Sequence, residues 1–478
     1  MKRARIVSVS LLVLAWLCQG AMTAHAQGGQ DNGPPKPAGK AFTPPSADDE
    51  QDQEQPIPAM EPDDRPLVGF QDLLVGTPPE SHSYWFPGFS YTNFAYSNGE
   101  LAGGGNGWYS TSILTGNLSL LQNWSTAQLS VNYTGGESVS TDSTIGNSQY
   151  HQLGVFQTIN WRRVRLILLN QFAYLPAAQF GFGAGTGLAF PGAGGPLAPA
   201  LPGLANGFTP NQTIFNTIGP RYSNSGGLQL NFLLSPRNSI TVGGVFGVLR
   251  FIDEGNIESN QTILNTGYNY QVSRSDMFGV SYRFSAYEYL SSPQAIRDHM
   301  AQATYGKKIT GRLALKLSVG PEITTFRVPP GVTPSTEHKA VAGTADLSYA
   351  FAAGGLDLNY NHAVNNGSGI LLGATTDQIT LSGTHKLGRI WSGNLSFGYA
   401  RNTPIAGTTA NRASVFDSVF VGAGLQRPLT RTANLTLNYT ANVQTSNTGT
   451  CPEPTCANFT THQITLGLTW RGRPFILH

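Results

Sequence analysis

The stretch Gln463-Ile-Thr-Leu-Gly-Leu-Thr-Trp470 alternates strictly between apolar and polar or small residues. Successive side chains of a β-strand point to opposite faces of the sheet. The stretch therefore predicts a strand with one apolar face, made by Ile464, Leu466, Leu468 and Trp470. The other face is polar and uncharged. Such a strand suits a sheet that has lipid against one face and water against the other.

The same alternation recurs upstream in runs of similar length. In the run Asn434–Val443, leucines, a tyrosine, an alanine and a valine alternate with asparagines and threonines. We predict an all-β transmembrane barrel of about eighteen antiparallel up-and-down strands, with sixteen as the main alternative. The strands are expected near 86–97, 108–121, 125–135, 148–160, 163–174, 221–234, 237–250, 258–273, 275–289, 297–308, 310–327, 338–352, 354–366, 375–386, 388–402, 414–427, 429–444 and 458–471.

The connections between these strands alternate in length. Short turns are expected near Asn123, Arg162, Pro236, Arg274, Thr310, Gly354, Gly388 and Leu429, and longer segments separate the other pairs. Bacterial membrane barrels combine tight periplasmic turns with longer extracellular loops. The alternation therefore predicts an even number of strands and places both termini in the periplasm.

The composition favours a barrel in lipid over a soluble β protein. Charged residues make up only 12% of the chain, about half the fraction that is usual in soluble domains. The net charge of +2 is too small and too scattered for a nucleic-acid-binding surface. A soluble protein of this size needs a charged surface, whereas the lumen of a barrel can be polar without charge.

The N-terminal part of the chain divides into three segments. Residues 1–26 have a basic start, a short apolar run and an Ala24-His25-Ala26 cleavage pattern, which predict a secretory signal peptide. Residues 27–66 are rich in Pro, Gln, Asp and Glu, and predict a disordered periplasmic linker that could dock a periplasmic partner. Residues 67–84 form a mixed pre-barrel segment, and 85–478 are assigned to the barrel.

Five tryptophans lie beside expected short turns or at the ends of the barrel. They predict an aromatic girdle on the periplasmic side, because tryptophan concentrates at membrane–water interfaces. The five residues are Trp85, Trp124, Trp161, Trp391 and Trp470.

Over residues 85–478 the chain resembles Gram-negative outer-membrane β-barrels, by architecture and not by a family motif. The resemblance implies contact with outer-membrane lipid and insertion by the barrel assembly machinery. Such barrels usually end on an aromatic residue, whereas this chain continues from Arg471 to His478. Trp470 or Phe475 is therefore expected to serve as the assembly signal.

Charges on lumen-facing positions would set the field inside a pore. Alternation places Arg283, Lys316, Glu322, Asp346 and Asp357 on that face, and Lys316 and Asp346 at similar heights on adjacent strands. These charges could pair, or they could be scattered wall charges in lumen water. The otherwise neutral polar face predicts a channel, for diffusion or export, that passes small or uncharged hydrophilic solutes.

Residues 175–220 form the longest connection, and no charged residue lies between Leu175 and Pro220. Connections of this length are usually functional or disordered. Two interpretations stay open: a loop that folds into the barrel and narrows it, and a mobile extracellular loop. If the loop closes the lumen, the protein would be a structural or adhesion barrel.

Catalytic and cofactor motifs are absent from the sequence, so we expect no enzyme, no cofactor and no metal site. His362 lies in Asn361-His362-Ala-Val-Asn-Asn-Gly-Ser368, which loosely resembles the His and Ser vicinity of membrane phospholipases, but the spacing differs. An envelope hydrolase is the weakest alternative. Cys451 and Cys456 share the last long loop, and in an exported chain they are expected to form a disulfide.

Overall fold

The computed structural model of the protein describes residues 83–97, 107–141, 147–175, 178–179, 214, 217–218, 220–252, 257–290, 292–327, 336–365, 367, 371–405, 415–446 and 458–477. The strands are β1 (Ser83–Ser97), β2 (Trp108–Asn123), β3 (Ala127–Ser140), β4 (Ser148–Asn160), β5 (Val164–Leu175), β6 (Ala178–Gln179), β7 (Thr217–Ile218), β8 (Arg221–Ser235), β9 (Asn238–Phe251), β10 (Ser259–Gln271), β11 (Asp276–Tyr289), β12 (Ala295–Thr310), β13 (Leu313–Arg327), β14 (Thr336–Phe351), β15 (Gly354–Asn365), β16 (Ala374–Lys386), β17 (Ser392–Pro404), β18 (Phe416–Pro428), β19 (Ala433–Ser446), β20 (Phe459–Arg471) and β21 (Phe475–Leu477). Within these ranges, no helix is long and apolar enough to cross a membrane.

The long strands close into one antiparallel barrel of 18 strands. Each strand pairs with its neighbours along the chain, and β5 pairs with β8 across the short β6–β7 ribbon. The barrel is closed by antiparallel pairing of β1 with β20. The first pair is Gly88 with Arg471, and the last is Tyr96 with Gln463. The prediction of an all-β barrel with eighteen strands is confirmed, and the sixteen-strand alternative is wrong.

Short turns all lie at one end of the barrel, which we call the turn end. The turns are closed by backbone hydrogen bonds, such as Trp124 N to Ala127 O at 2.7 Å and Leu429 N to Ala433 O at 2.8 Å. The other end, the loop end, carries the longer connections. Because the strand number is even, β1 begins and β20 ends at the turn end.

The two faces of the barrel wall differ in chemistry, as the alternation predicts. On β20, the outward-facing Leu466 and Trp470 are 47% and 45% exposed, whereas Thr465 on the lumen face is 4% exposed. Within the described part of the chain, outward side chains have no further protein layer against them, while lumen side chains crowd together on the concave face. An apolar outer surface that encircles the whole barrel is stable against lipid and not against water.

Tyrosine hydroxyls mark both borders of this apolar belt. Near the loop end, they bond a histidine or aspartate of the following strand: Tyr133 with His151 (3.0 Å), Tyr282 with His299 (2.7 Å), Tyr439 with His462 (2.8 Å), Tyr360 with Asp377 (3.0 Å) and Tyr399 with Asp417 (2.7 Å). Near the turn end, Tyr268 donates to Asn238 at 3.0 Å and Tyr305 to Asp276 at 2.9 Å. Amphipathic rings with polar tips are typical of the lipid–water interface.

The C-terminus continues the closure of the barrel beyond β20. Gly472 N donates to Pro87 O at 2.7 Å, and β21 then pairs with the first residues of β1. The rings of Phe475 and Trp85 stack with centroids 4.5 Å apart. We call the β1–β21 pairing the seam. The first strand begins at Ser83, two residues before the barrel start that was expected from the sequence.

Candidate pore and its constriction

The lumen wall changes from open to covered along the barrel axis. On β16, Thr384 and Ser382 near the turn end are exposed, Thr380 and Gln378 are half-buried, and Thr376 near the loop end is 0% exposed. All five side chains share one parity of the strand and therefore one face. The lumen is thus open to solvent at the turn end and filled at the loop end along this wall.

The neighbouring strand β17 repeats this gradient. Asn394 near the turn end is exposed, whereas Asn402 near the loop end is 0% exposed. The covered side chains bond one another: Thr376 Oγ1 donates to Asn402 Oδ1 at 2.6 Å and accepts a hydrogen bond from Asn365 Nδ2. The buried polar wall at the loop end is therefore satisfied internally on this side of the lumen.

Part of the cover is the connection between β15 and β16. Pairing of β15 with β14 ends at His362 and Gly343, and the chain beyond it turns into the lumen. There Val364 packs in a buried cluster with side chains of β11, β12 and β13, namely Tyr287, Tyr289, Ile296 and Phe326. The hydroxyl of Tyr287 also donates to Val364 O at 3.2 Å. Val364 and Leu372 therefore reach the opposite part of the wall.

We call Val364, Leu372 and Gly373 the roof, because they are the described residues of this connection that contact the β11–β13 wall. Leu372 packs against the same buried cluster, as do Ile257 and Ile405 from other loops. Gly373 has φ +83°, and a Cβ there would lie 2.0 Å from Ile296 Cδ1. Only glycine permits both this backbone conformation and this close approach.

Beneath the roof, the wall of β11–β13 carries a group of polar side chains that we call the polar patch. It consists of Arg283, Ser285, Asp298, Gln302 and Glu322. Ser285 of β11 pairs with Asp298 of β12. Met300 of β12 pairs with Arg283 of β11 on one side and with Glu322 of β13 on the other. Asp298 and Glu322 are 0% and 1% exposed. Two carboxylates and one guanidinium therefore lie together on a covered part of the lumen wall.

Several atoms of the polar patch lack a protein partner in hydrogen-bonding geometry. Thr324 Oγ1 donates to Asp298 Oδ1 at 3.0 Å, and Arg283 Nη2 contacts Met300 Sδ at 3.7 Å. The buried atoms without such a partner include Arg283 Nε and Gln302 Nε2. The carboxyl groups of Asp298 and Glu322 contact each other, and Glu322 also faces the backbone of Val364 in the roof. The two buried acids are therefore held by each other and by the roof.

The five charges that the sequence assigned to the lumen occupy different depths. Arg283 and Glu322 belong to the polar patch. Lys316 and Asp346 are directly opposite each other on β13 and β14, and Asp346 Oδ1 accepts a hydrogen bond from Asn359 Nδ2. Asp357 is exposed near the turn end, opposite Ser348. The structure therefore brings Arg283 near Glu322, places Lys316 opposite Asp346, and leaves Asp357 apart.

Sequence reasoning missed Asp298, the most buried charge of the group. Its parity matches that of Gln302 and Thr304, which could have assigned it to the lumen face. However, Arg297 and His299 on either side of it make both faces polar at this end of β12, so the alternation is weak there. The roof was missed as well, because residues 366–373 look like an ordinary loop.

The remaining candidate residues lie outside the lumen or outside the described ranges. His362 is on the outer face, and its Nδ1 lies 2.6 Å from Asp377 Oδ1. Ser368, which the hydrolase alternative would need, is not among the described residues, and neither are Cys451 and Cys456. Within the described ranges, no group of three or more His, Cys, Asp or Glu side chains could hold a metal ion.

Most of the 175–220 connection also falls outside the described residues. Within it, Ala178 pairs with Ile218 and Gln179 with Thr217, and Ile214 is fully buried.

The five predicted girdle tryptophans all lie at the turn end. Trp124, Trp161 and Trp391 are in turns and are at least one-third exposed, and Trp470 ends an outward row on β20. Trp85 stacks on Phe475. The guanidinium of Arg427 lies 5.4 Å from the ring centroid of Trp391, a cation–π arrangement near the same border.

Of the comparisons with known proteins, only the one with solved structures found similar proteins. No protein-family profile matches the sequence, and no curated protein matches it. The chain is similar to Pseudomonas aeruginosa OccK2 (OpdF), with 10% identity, 81% of this chain and 98% of that chain covered, and a TM-score of 0.44. It is also similar to Pseudomonas aeruginosa OpdQ, with 10% identity, 82% of this chain and 98% of that chain covered, and a TM-score of 0.44. A third similar structure is the outer membrane protein OpdK of the same organism, with 11% identity, 82% of this chain and 99% of that chain covered, and a TM-score of 0.41.

Proposed function

We propose that the protein is an outer-membrane channel that passes small or uncharged hydrophilic solutes by diffusion. The single observation that carries the proposal is the polar lumen wall on β15–β17, which is exposed to solvent near the turn end and half-buried further up toward the roof. A closed barrel of this strand number is wide enough to leave an aqueous lumen. The wall there is mostly Asn, Thr and Ser, which hydrate a path without favouring strongly charged solutes.

Within this proposal, the lumen charges shape the local field and do not form a ladder of one sign. Arg283 and Glu322 act at the constriction, Lys316 and Asp346 act as an opposed pair in mid-lumen, and Asp357 lies in the open vestibule. The mixed signs support passage of neutral solutes, because a polyanion or polycation would meet a repelling charge at some depth.

The orientation of the barrel in the membrane follows the usual architecture. The short turns, the tryptophan girdle and both termini would face the periplasm, and the long connections would face the outside. After cleavage of the signal peptide at residue 26, the linker of residues 27–66 would precede the barrel on the periplasmic side. In this arrangement the linker is available to a periplasmic partner, and the seam is available to the barrel assembly machinery.

A structural or adhesion barrel is the second candidate, because the loop end of the lumen is covered. Thr376 and Asn402 are fully buried there, and Ile214 of the long 175–220 connection is buried as well. A permanently closed lumen would serve as an anchor for surface loops and would not conduct.

Single-channel recording in a planar bilayer distinguishes the two candidates. We expect the refolded mature protein to give discrete openings in potassium chloride, and a variant without residues 176–215 to conduct at least as well. Silence in the intact protein with openings in the deletion variant would make the 175–220 connection the plug. Silence in both variants would reject the channel and favour the structural barrel.

A further inference from the structure

We propose that Asp298 and Glu322 form a proton-operated latch, which holds the roof closed while the pair keeps one proton and releases the roof when that proton is lost. This inference deepens the proposed function and rests on it, because the roof can regulate only a lumen that conducts. The latch joins β12 and β13 of the wall to Val364 of the roof. A rise in pH is therefore expected to open the loop end of the lumen.

Val364 lies on a strand edge that has lost its neighbour. Pairing of β15 with β14 ends at His362, whereas pairing of β15 with β16 continues to Asn365. In the described part of the chain, β15 beyond His362 therefore has no strand on its β14 side, and buried backbone groups need a partner. The wall supplies two. The Tyr287 hydroxyl donates to Val364 O at 3.2 Å, and the Glu322 carboxyl faces the Val364 backbone N–H.

The carboxyl that meets this backbone belongs to a buried pair. Asp298 pairs with Thr324 across the ladder, and Glu322 lies two residues from Thr324 on the same face of β13. The two acids are therefore diagonal neighbours, and their fully buried carboxyl groups contact each other. Two carboxylates in contact within a covered site cannot both be ionised, so the pair shares one proton. The protonated carboxyl donates to the other, which keeps lone pairs for the Val364 N–H.

The surrounding charges favour a single proton on the pair. From β11, the Arg283 guanidinium interacts electrostatically with both acids. The Tyr287 hydroxyl of the same strand also faces them, and its proton is donated to the roof. From β15, His362 acts on the pair from the outer face, where its Nδ1 contacts Asp377. One guanidinium and one carboxylate leave the covered site neutral, whereas loss of the shared proton leaves an excess negative charge.

The direction of the pH response follows from the number of bound protons. In the closed state the pair holds one proton. When Val364 withdraws, lumen water reaches both carboxyl groups, and hydrated Asp and Glu side chains are ionised at neutral pH. Opening therefore releases one proton to water, and a higher pH favours the state that binds fewer protons. Removal of the proton also places two like charges in contact, which disrupts the arrangement that holds Val364.

Accessibility of a cysteine at position 376 measures opening of the roof without any need for conduction. Thr376 is fully buried at the covered loop end, whereas Thr384 is exposed on the same face of β16. Each is replaced by cysteine in the mature chain with Cys451→Ser and Cys456→Ser, and labelled in vesicles with a charged methanethiosulfonate reagent. The rate at 376 is divided by the rate at 384 to correct for thiol ionisation. We expect this ratio to rise several-fold between about pH 6 and about pH 9.

Asp298→Asn tests the shared proton directly. The amide keeps the side-chain shape and a donor for Glu322, but it has no proton to lose in this range. The labelling ratio should then stay low at every pH, and the isosteric variant Glu322→Gln should give the same result. The matched control is Glu337→Gln, an exposed carboxylate of β14 that lies 3.4 Å from Lys339. His362→Gln removes an imidazole as another source of pH dependence, and both controls should keep the rise.

The outcomes separate the latch from the channel. A ratio that does not change with pH in the otherwise wild-type chain, or that rises equally in Asp298→Asn, overturns the latch. Heat-dependent gel mobility checks that every chain is folded, and conductance of the same preparations is recorded in parallel. Conduction with a constant ratio would leave the channel and remove the latch. A ratio that rises only when both acids are present, in a silent barrel, would support the latch and reject the channel.

Discussion

Replacement of Gly373 by valine is expected to raise the single-channel conductance several-fold. Gly373 has φ +83°, and its Cβ position lies 2.0 Å from Ile296 Cδ1. A β-branched residue is strained at positive φ, and the end of the Ile296 side chain, which is 0% exposed, could shift only into packed neighbours. We expect the roof to move and not the wall, because Ile296 sits in a strand that is paired on both sides.

Gly388 is the matched control for backbone strain. It has φ +131° in the turn between β16 and β17, and a Cβ there would meet no atom within 4 Å. Gly388→Val therefore introduces a comparable conformational cost without displacing the roof. Its conductance should equal that of the wild-type protein in the same bilayer. Equal conductance of Gly373→Val and wild type, with both folded, would contradict the roof as the constriction.

Loss of the seam is expected to have the largest effect on assembly. Deletion of residues 475–478 removes the pairing of Ser83, Tyr84 and Trp85 with β21 and the stacking of Trp85 on Phe475. Backbone hydrogen bonds contribute about 1 kcal/mol each and an aromatic pair about 0.5–1.5 kcal/mol. We therefore expect a loss of roughly 3 kcal/mol in the free energy of unfolding, measured by urea titration in lipid vesicles.

Phe475→Ala separates the stack from the backbone pairing. It should cost about 1–2 kcal/mol, because both the aromatic contact and lipid-exposed area are lost. The control is Phe246→Ala on the outer face of β9, where the ring is 54% exposed and the seam is untouched. If the Phe246 and Phe475 variants lose the same amount, the seam has no special part in closure.

The sequence predicted the barrel well because each strand faces two solvents. A strand with lipid outside and water inside must alternate, and β19 and β20 do so over their whole length. The same argument explains why Asp298 on β12 was not assigned to the lumen from the sequence. Near the loop end, the outer face leaves the hydrocarbon, so Arg297 and His299 are tolerated there and the pattern no longer distinguishes the faces.

The constriction could not be predicted from composition, because the direction in which a loop folds depends on distant contacts. Val364 meets Tyr287 across a sequence distance of 77 residues. Local signals were present in Gly367 and Gly373, which both have positive φ, but a glycine alone does not say whether a loop turns inward or outward. The sequence instead led us to predict that the uncharged 175–220 connection could narrow the barrel, and that role stays a prediction.

Cysteine accessibility along β16 is the most direct test of the central claim that the lumen is open to water along this strand, from the turn end toward the roof. In the mature chain of residues 27–478, which lacks Cys18, and with Cys451→Ser and Cys456→Ser, one position at a time is replaced by cysteine: Thr384, Ser382 or Thr376 on the lumen face, or Leu381 on the outer face. The barrels are placed in vesicles and labelled with a charged maleimide that does not cross lipid. We predict rapid labelling at positions 384 and 382, slow labelling at 376 and none at 381. Labelling of 376 as fast as 384, or of 381 as fast as 382, would contradict the account.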